Sequence, residues 1–166
     1  MAASDKAGVP RQDQYIRQEG GLAGLCSPDL PWVAMRVKER IGFMKAKKQD
    51  AEKLFRTRGA AAYEEPARTI YGLLREAWEQ GIVEVLLGEI VERYRPSIET
   101  KRVRDLHDIT ETDCAAIETG MSECSRWIRG HDQAAADGTP FPLPADLERR
   151  IQEFETWVAT IRKRRK

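Results

Sequence analysis

Apolar and polar positions recur with a helical period over most of this chain. From Trp32 to about Arg58, Val37, Ile41, Met44, Ala51 and Phe55 keep to one helix face, with Lys48 as the polar interruption. Ser27 and Asp29 are its candidate caps and Gly59 its stop. A second helix is predicted from near Tyr63–Pro66, because proline belongs in a first turn, to about Tyr94, with Pro96 as breaker. Its face runs through Ile70, Leu74, Ala77, Gly81, Val85, Leu86 and Gly88. A third helix opens at Thr110, with Asp113 placed for a capping box. It carries Cys114, Ile117, Met121, Cys124 and Ile128, and Gly130 ends it. The last, Ala145 to about Arg162, has the cleanest repeat: Leu147, Ile151, Phe154, Val158 and Ile161 alternate steps of four and three, as in a coiled-coil seam.

The fold class expected is therefore mainly α, a long helical hairpin plus two further amphipathic helices. Residues 1–31 form an irregular N-terminal segment with room for one short strand around Gln14–Arg17, and GGLAGLCSPDLP reads as a loop. Residues 32–96 are the hairpin, 97–130 a polar connector and the third helix, 131–143 a Pro/Gly/Ala linker, and 144–166 the last helix with its basic end. The first helix is basic and the second acidic, which suggests an antiparallel pair with complementary flanks. Gly81 and Gly88, one heptad apart, mark either a groove for another backbone or tolerated drift.

Composition narrows the function. The chain has 166 residues, 33% of them charged, and a net charge of +1, so no global bias selects a partner. Arginine outnumbers lysine and asparagine is absent, which points to a GC-rich, bacterial coding sequence. Cys26, Cys114 and Cys124 show no CxxC spacing, as expected of a reducing cytosol. No apolar run approaches the ~20 residues of a membrane span, so no membrane partner is expected.

Catalytic motifs are sought without success. No lysine follows a glycine, so there is no phosphate-cradling Walker A loop, and GGLAG lacks the strand and helix of a dinucleotide fingerprint. His131–Asp132 would need further ligands, and His107 is the one other histidine. No cofactor is expected, and no acid, base and nucleophile set can be assembled. Packing or interaction falls to Ile70, Leu73, Leu74, Trp78 and Leu86, supported by Leu147, Ile151, Phe154 and Val158. The candidates for neutralising nucleic-acid phosphates are Lys45, Lys47 and Lys48 on the first helix and Arg162, Lys163, Arg164, Arg165 and Lys166 at the end.

The runs GVPRQDQYIRQEGGLAGLCSPDLPW, VKERIGFMKA, IYGLLREAWEQGIVEVLLGEIVERYRPSIETKR and MSECSRWIRGHDQA resemble the C-terminal region of large bacterial AAA-family ATPases with an SMC/RecF-like layout. Some of these serve DNA transactions and phage defence. The resemblance implies that DQYIRQ closes the sheet of an ATPase head and that the helices form a non-catalytic tail. The implied partner is an ATPase head or a second copy of the chain. The alternative is a free-standing helical protein that binds nucleic acid through its basic helix and tail.

Overall fold

The computed structural model describes residues 14–19, 21–91, 97–128 and 138–165 and is mainly α. Contacts divide it into two units, Met1–Met35 and Arg36–Lys166.

In the first unit, β1 (Tyr15–Glu19) pairs antiparallel with β2 (Leu22–Ser27), Tyr15 opposite Ser27 and Glu19 opposite Leu22. The single strand expected from sequence is thus a hairpin, and the run read as a loop supplies its second strand. Two glycines separate Glu19 from Leu22, and Gly21 takes a φ of 84°, the backbone such tight hairpin turns demand. Ser27 does not cap the first helix: its hydroxyl accepts the Asp29 amide at 3.2 Å. Trp32–Ala34 form a turn of 3-10 helix, not the start of an α-helix.

The second unit is a bundle of four α-helices: α1 (Val37–Arg58), α2 (Ala60–Gly81), α3 (Glu111–Arg126) and α4 (Pro144–Arg164). The N-terminus of α1 is secured by two carboxylates: Glu39 accepts the Arg36 amide at 2.8 Å and Glu84 accepts the Val37 amide at 2.9 Å. Gly59 alone joins α1 to α2, at φ 83° and ψ −177°, a region that side-chain-bearing residues avoid. Gly59→Ala is expected to cost about 1–3 kcal/mol, checked by urea unfolding. The two helices run antiparallel: Arg40 donates to the Glu76 carbonyl at 2.9 Å, while Phe55 meets Tyr63 edge-on at 5.4 Å near the turn.

Three boundaries differ from the periodic pattern. Helix α2 starts at Ala60, so Pro66 lies inside it; the preceding alanines are strong helix formers and begin the helix at once. It ends at Gly81, well before Tyr94, and Ile82–Leu86 continue as one π-helical turn closed by left-handed Gly88 and Glu89. The β-branched Ile82, Val83 and Val85 crowd the helical backbone there. The 97–109 connector holds a 3-10 helix, Thr100–Asp108. Pro96, Gly130 and most of the 131–143 linker lie outside the described residues.

The core lies between α2 and α4, with α1 and α3 packed on either side. Leu147, Ile151, Phe154, Val158 and Ile161 are all buried on α4, and Ile70, Leu74, Trp78 and Leu86 are buried opposite them, with Leu73 only half-buried. Trp78, Phe154 and Trp157 form one aromatic cluster, with ring centroids 4.9 and 5.0 Å from Trp78. Tyr63, Tyr71, Trp127 and Phe141 form another, so Phe141, from the run read as a linker, packs half-buried against the core. On α3, Thr110 and Asp113 form the expected capping box, and of the expected face Cys124 is buried, Ile117, Met121 and Ile128 are half-buried and Cys114 is exposed, while Gly120 also faces inward. A Cβ on Gly120 would stand 2.4 Å from Cε2 of the Trp78 indole, so this glycine admits the ring.

Candidate interaction groove and the charges around it

The faces expected to dock a partner are consumed inside the chain. A helix with an apolar face must cover it; here α4 covers α2, and the seam of α4 is spent in the same core. Trp78 and Leu86 are 2% and 6% exposed, so they offer no docking surface.

Most of the basic candidates also lie against carboxylates of the chain itself. Lys45 and Lys48 of α1 pair with α4 instead of the acidic α2. Lys45 Nζ lies 2.6 Å from Glu155, and Lys48 Nζ 2.9 Å from Glu148 and 3.0 Å from Glu52. Burial works against the Lys48 ammonium, but its hydrogen bonds to Glu148 and Glu52 outweigh that and raise its pKa. Lys47 lies over the Phe43 ring at 5.5 Å.

At the other end of the chain the arginines form a clamp. Arg162 reaches Glu84 at 3.0 Å, the same carboxylate that caps α1 and that Arg36 approaches at 3.6 Å. Arg164 donates to Asp113 at 2.7 Å. Arg165 grips Asp108 through two nitrogens, at 2.9 and 2.6 Å, and also donates to the Val85 and Asp105 carbonyls. Such a tail ties the π-turn, the 3-10 helix and α3 to α4. Lys166 lies outside the described residues.

Both clamp carboxylates are held below the usual carboxylate range. At Asp108 the Arg165 hydrogen bonds are the main cause. At Asp113 burial pushes upward, but the Thr110 hydroxyl and amide and the Arg164 guanidinium outweigh it. A carboxylate depressed in the folded state contributes stability above its unfolded pKa of about 4. That contribution is lost as pH falls through the lower folded value. The stability gap between wild type and Asp113→Asn, measured by denaturant melts, is therefore expected to be level from pH 7 to pH 5 and to close below about pH 4.

Between α1 and α4 a groove of about 550 Å³ remains open, lined by Lys38, Ile41, Gly42 and Lys45 on one side and by Glu155, Val158, Ala159, Arg162 and Lys163 on the other. The fold thus brings Lys45 together with Arg162 and Lys163 and leaves Arg164 and Arg165 in the clamp. Lys38, Gly42 and Ala159 belong to the groove and were not singled out by sequence reasoning. The charge period along α1 identifies Lys38, but nothing in the chain announces which helix lies across from it.

Chemistry is sparse. Burial pushes the Cys124 thiol up to about 12, and Cys26 and Cys114 are exposed. Among the described residues no three His, Cys, Asp or Glu side chains are placed to hold a metal ion, and no helix is long and apolar enough to cross a membrane. His131 lies outside the described residues. His107 sits with Nδ1 against the Arg104 carbonyl of its own helix. No protein-family profile, curated protein or solved structure matches this chain.

Proposed function

We propose that the chain is a non-catalytic helical interaction module that holds a protein partner in the groove between α1 and α4. The resemblance to the C-terminal region of SMC/RecF-like ATPases supplies the setting, an ATP-dependent, DNA-associated system in which the partner is an ATPase head. One observation carries the reading. The apolar faces and most of the basic candidates are satisfied within the chain, while the groove between α1 and α4, with Lys38, Gly42, Ala159 and Lys163 exposed along it, stays open.

A photo-crosslinking residue at Ala159, with Thr69 on the exposed side of α2 as control, tests it in the source cells. The expected adduct forms at 159 alone, is destroyed by protease and contains a P-loop protein. An adduct destroyed by nuclease would instead support the alternative, a nucleic-acid-binding protein. That alternative is less favoured because Lys45, Lys48, Arg162, Arg164 and Arg165 would each have to leave a carboxylate to meet a phosphate.

A further inference from the structure

We propose that the cleft between α3 and α4 binds a small uncharged molecule carrying a carbonyl acceptor, a site independent of the α1–α4 groove. The cleft measures about 460 Å³, in the range of small-ligand sites. Thr112 and Ala116 of α3 and Thr156 and Thr160 of α4 form its walls, and Trp157 lines it as well.

Trp157 carries the first argument. The residue is 6% exposed, and its indole Nε1 is buried with no hydrogen-bond partner among the described residues. An indole N–H can only donate, and burying it unpaired forfeits the hydrogen bond it makes in water. The attitude of the ring places this donor. A Cβ on Gly81 would stand 2.9 Å from Cζ3 of Trp157, so the benzo edge is turned to α2. Nε1 lies on the opposite edge of an indole, away from α2, and the ring borders the cleft between the two other helices. An acceptor entering that cleft meets the N–H.

Charge supplies the second. Asp113, Arg149 and Glu153 border the same cleft, and each is compensated within the chain. Thr110 and Arg164 hold Asp113, Arg149 reaches Asp146 at 3.1 Å and Glu153 at 3.3 Å, and Arg150 reaches Glu153 at 3.0 Å. A charged ligand would have to draw one of these groups from its partner. A neutral one leaves every pair in place.

The walls supply the third. The Thr160 hydroxyl donates to the Thr156 carbonyl at 2.8 Å, and the Thr156 hydroxyl accepts from Gln152 at 3.4 Å. With those hydroxyls engaged along α4, methyl groups are what its wall has left to offer. Thr112, Thr156 and Thr160 are exposed and Ala116 is half-buried, so a ligand would take these methyls out of water. A docking helix fits less well, because its backbone carbonyls are spent in its own hydrogen-bond ladder and none is free for a buried donor.

The test follows the Trp157 indole N–H resonance of the isotope-labelled full chain through titrations with acetophenone, with its acceptor-free isostere ethylbenzene and with benzoate. Acetophenone is expected to move that resonance downfield and saturably, leaving Trp32 and Trp127 in place. Ethylbenzene is expected to bind at least about fivefold more weakly, and benzoate no tighter than acetophenone. Thr156→Leu, at an exposed position, narrows the cleft and is expected to weaken acetophenone by about tenfold with Tm unchanged. Equal affinity for ethylbenzene overturns the acceptor, and tighter binding of benzoate overturns the uncharged ligand. Binding that Thr156→Leu leaves intact lies elsewhere on the chain and overturns the site. A Trp157 resonance that none of the three probes moves overturns the inference outright.

Discussion

Trp78→Ala is expected to lower the unfolding free energy by about 3–5 kcal/mol, among the largest losses available to a single substitution here. The indole is 2% exposed and touches two other helices: α4 through Phe154 and Trp157, with centroids 4.9 and 5.0 Å away, and α3 at Gly120. Its removal leaves a void at the meeting point of three helices, where no single one can move in to fill it. The complementary change is Gly120→Ala. It adds one methyl where only 2.4 Å is free and is expected to cost about 1–3 kcal/mol by overpacking. The two changes answer to the same ring, so they should not add. In the Trp78→Ala background most of the Gly120→Ala penalty should vanish, because the added methyl then enters the void. A double-mutant cycle in urea that returned simple additivity would show that the ring and the glycine are not coupled.

Arg165→Met is expected to cost about 2–3 kcal/mol, a figure discounted from that of a fully buried pair because both partners retain some solvent. The guanidinium is shared among Asp108, the Val85 carbonyl and the Asp105 carbonyl. Methionine keeps the stem and abandons all three acceptors, leaving Asp108, among the described residues, with the more distant Arg164, 3.5 Å away. Lys38→Met, which disturbs no ion pair among the described residues, is the control and should stay within about 0.5 kcal/mol. Equal melts for the two variants would remove the clamp as a stabilising device. The comparison also bears on any truncation used to probe nucleic-acid binding. Removing Arg162–Lys166 also takes Arg162 from Glu84 and Arg164 from Asp113, so lost affinity means something only where the melt is unchanged.

Much of the helical unit was legible because burial follows period. The seam of α4 and the inner face of α2 are spaced as a helix must space them, and each is buried in the structure. The cap at Thr110 was legible for a local reason, since hydroxyl and carboxylate lie three residues apart and need nothing distant. The hairpin was also legible and was passed over, because the paired glycines between YIRQE and LAGLCS are a turn signal in their own right. Other features depend on partners far along the chain. Periodicity places Cys114 on the α3 face, but the surface it would meet is set by Trp78, which reaches Gly120 instead. Charge counting pairs a basic helix with the acidic helix beside it, yet Lys45 and Lys48 of α1 found the glutamates of α4, about a hundred residues away. The groove is the furthest from the sequence, because its walls come from two helices whose adjacency no local pattern encodes.

The capping of α1 by Glu84 has a kinetic side. The Gly59 end of the α1–α2 hairpin forms from neighbours in sequence, a fast event with little chain entropy to overcome. The other end waits for a carboxylate 47 residues beyond the amide it accepts, presented only once the chain has turned at Ile82–Leu86. The first turn of α1 is therefore expected to form late in folding, with the hairpin closing from its loop toward its open end. Opening in the native state should retrace that order, beginning where Val37 meets Glu84, at the same end of α1 as Lys38 and the mouth of the groove.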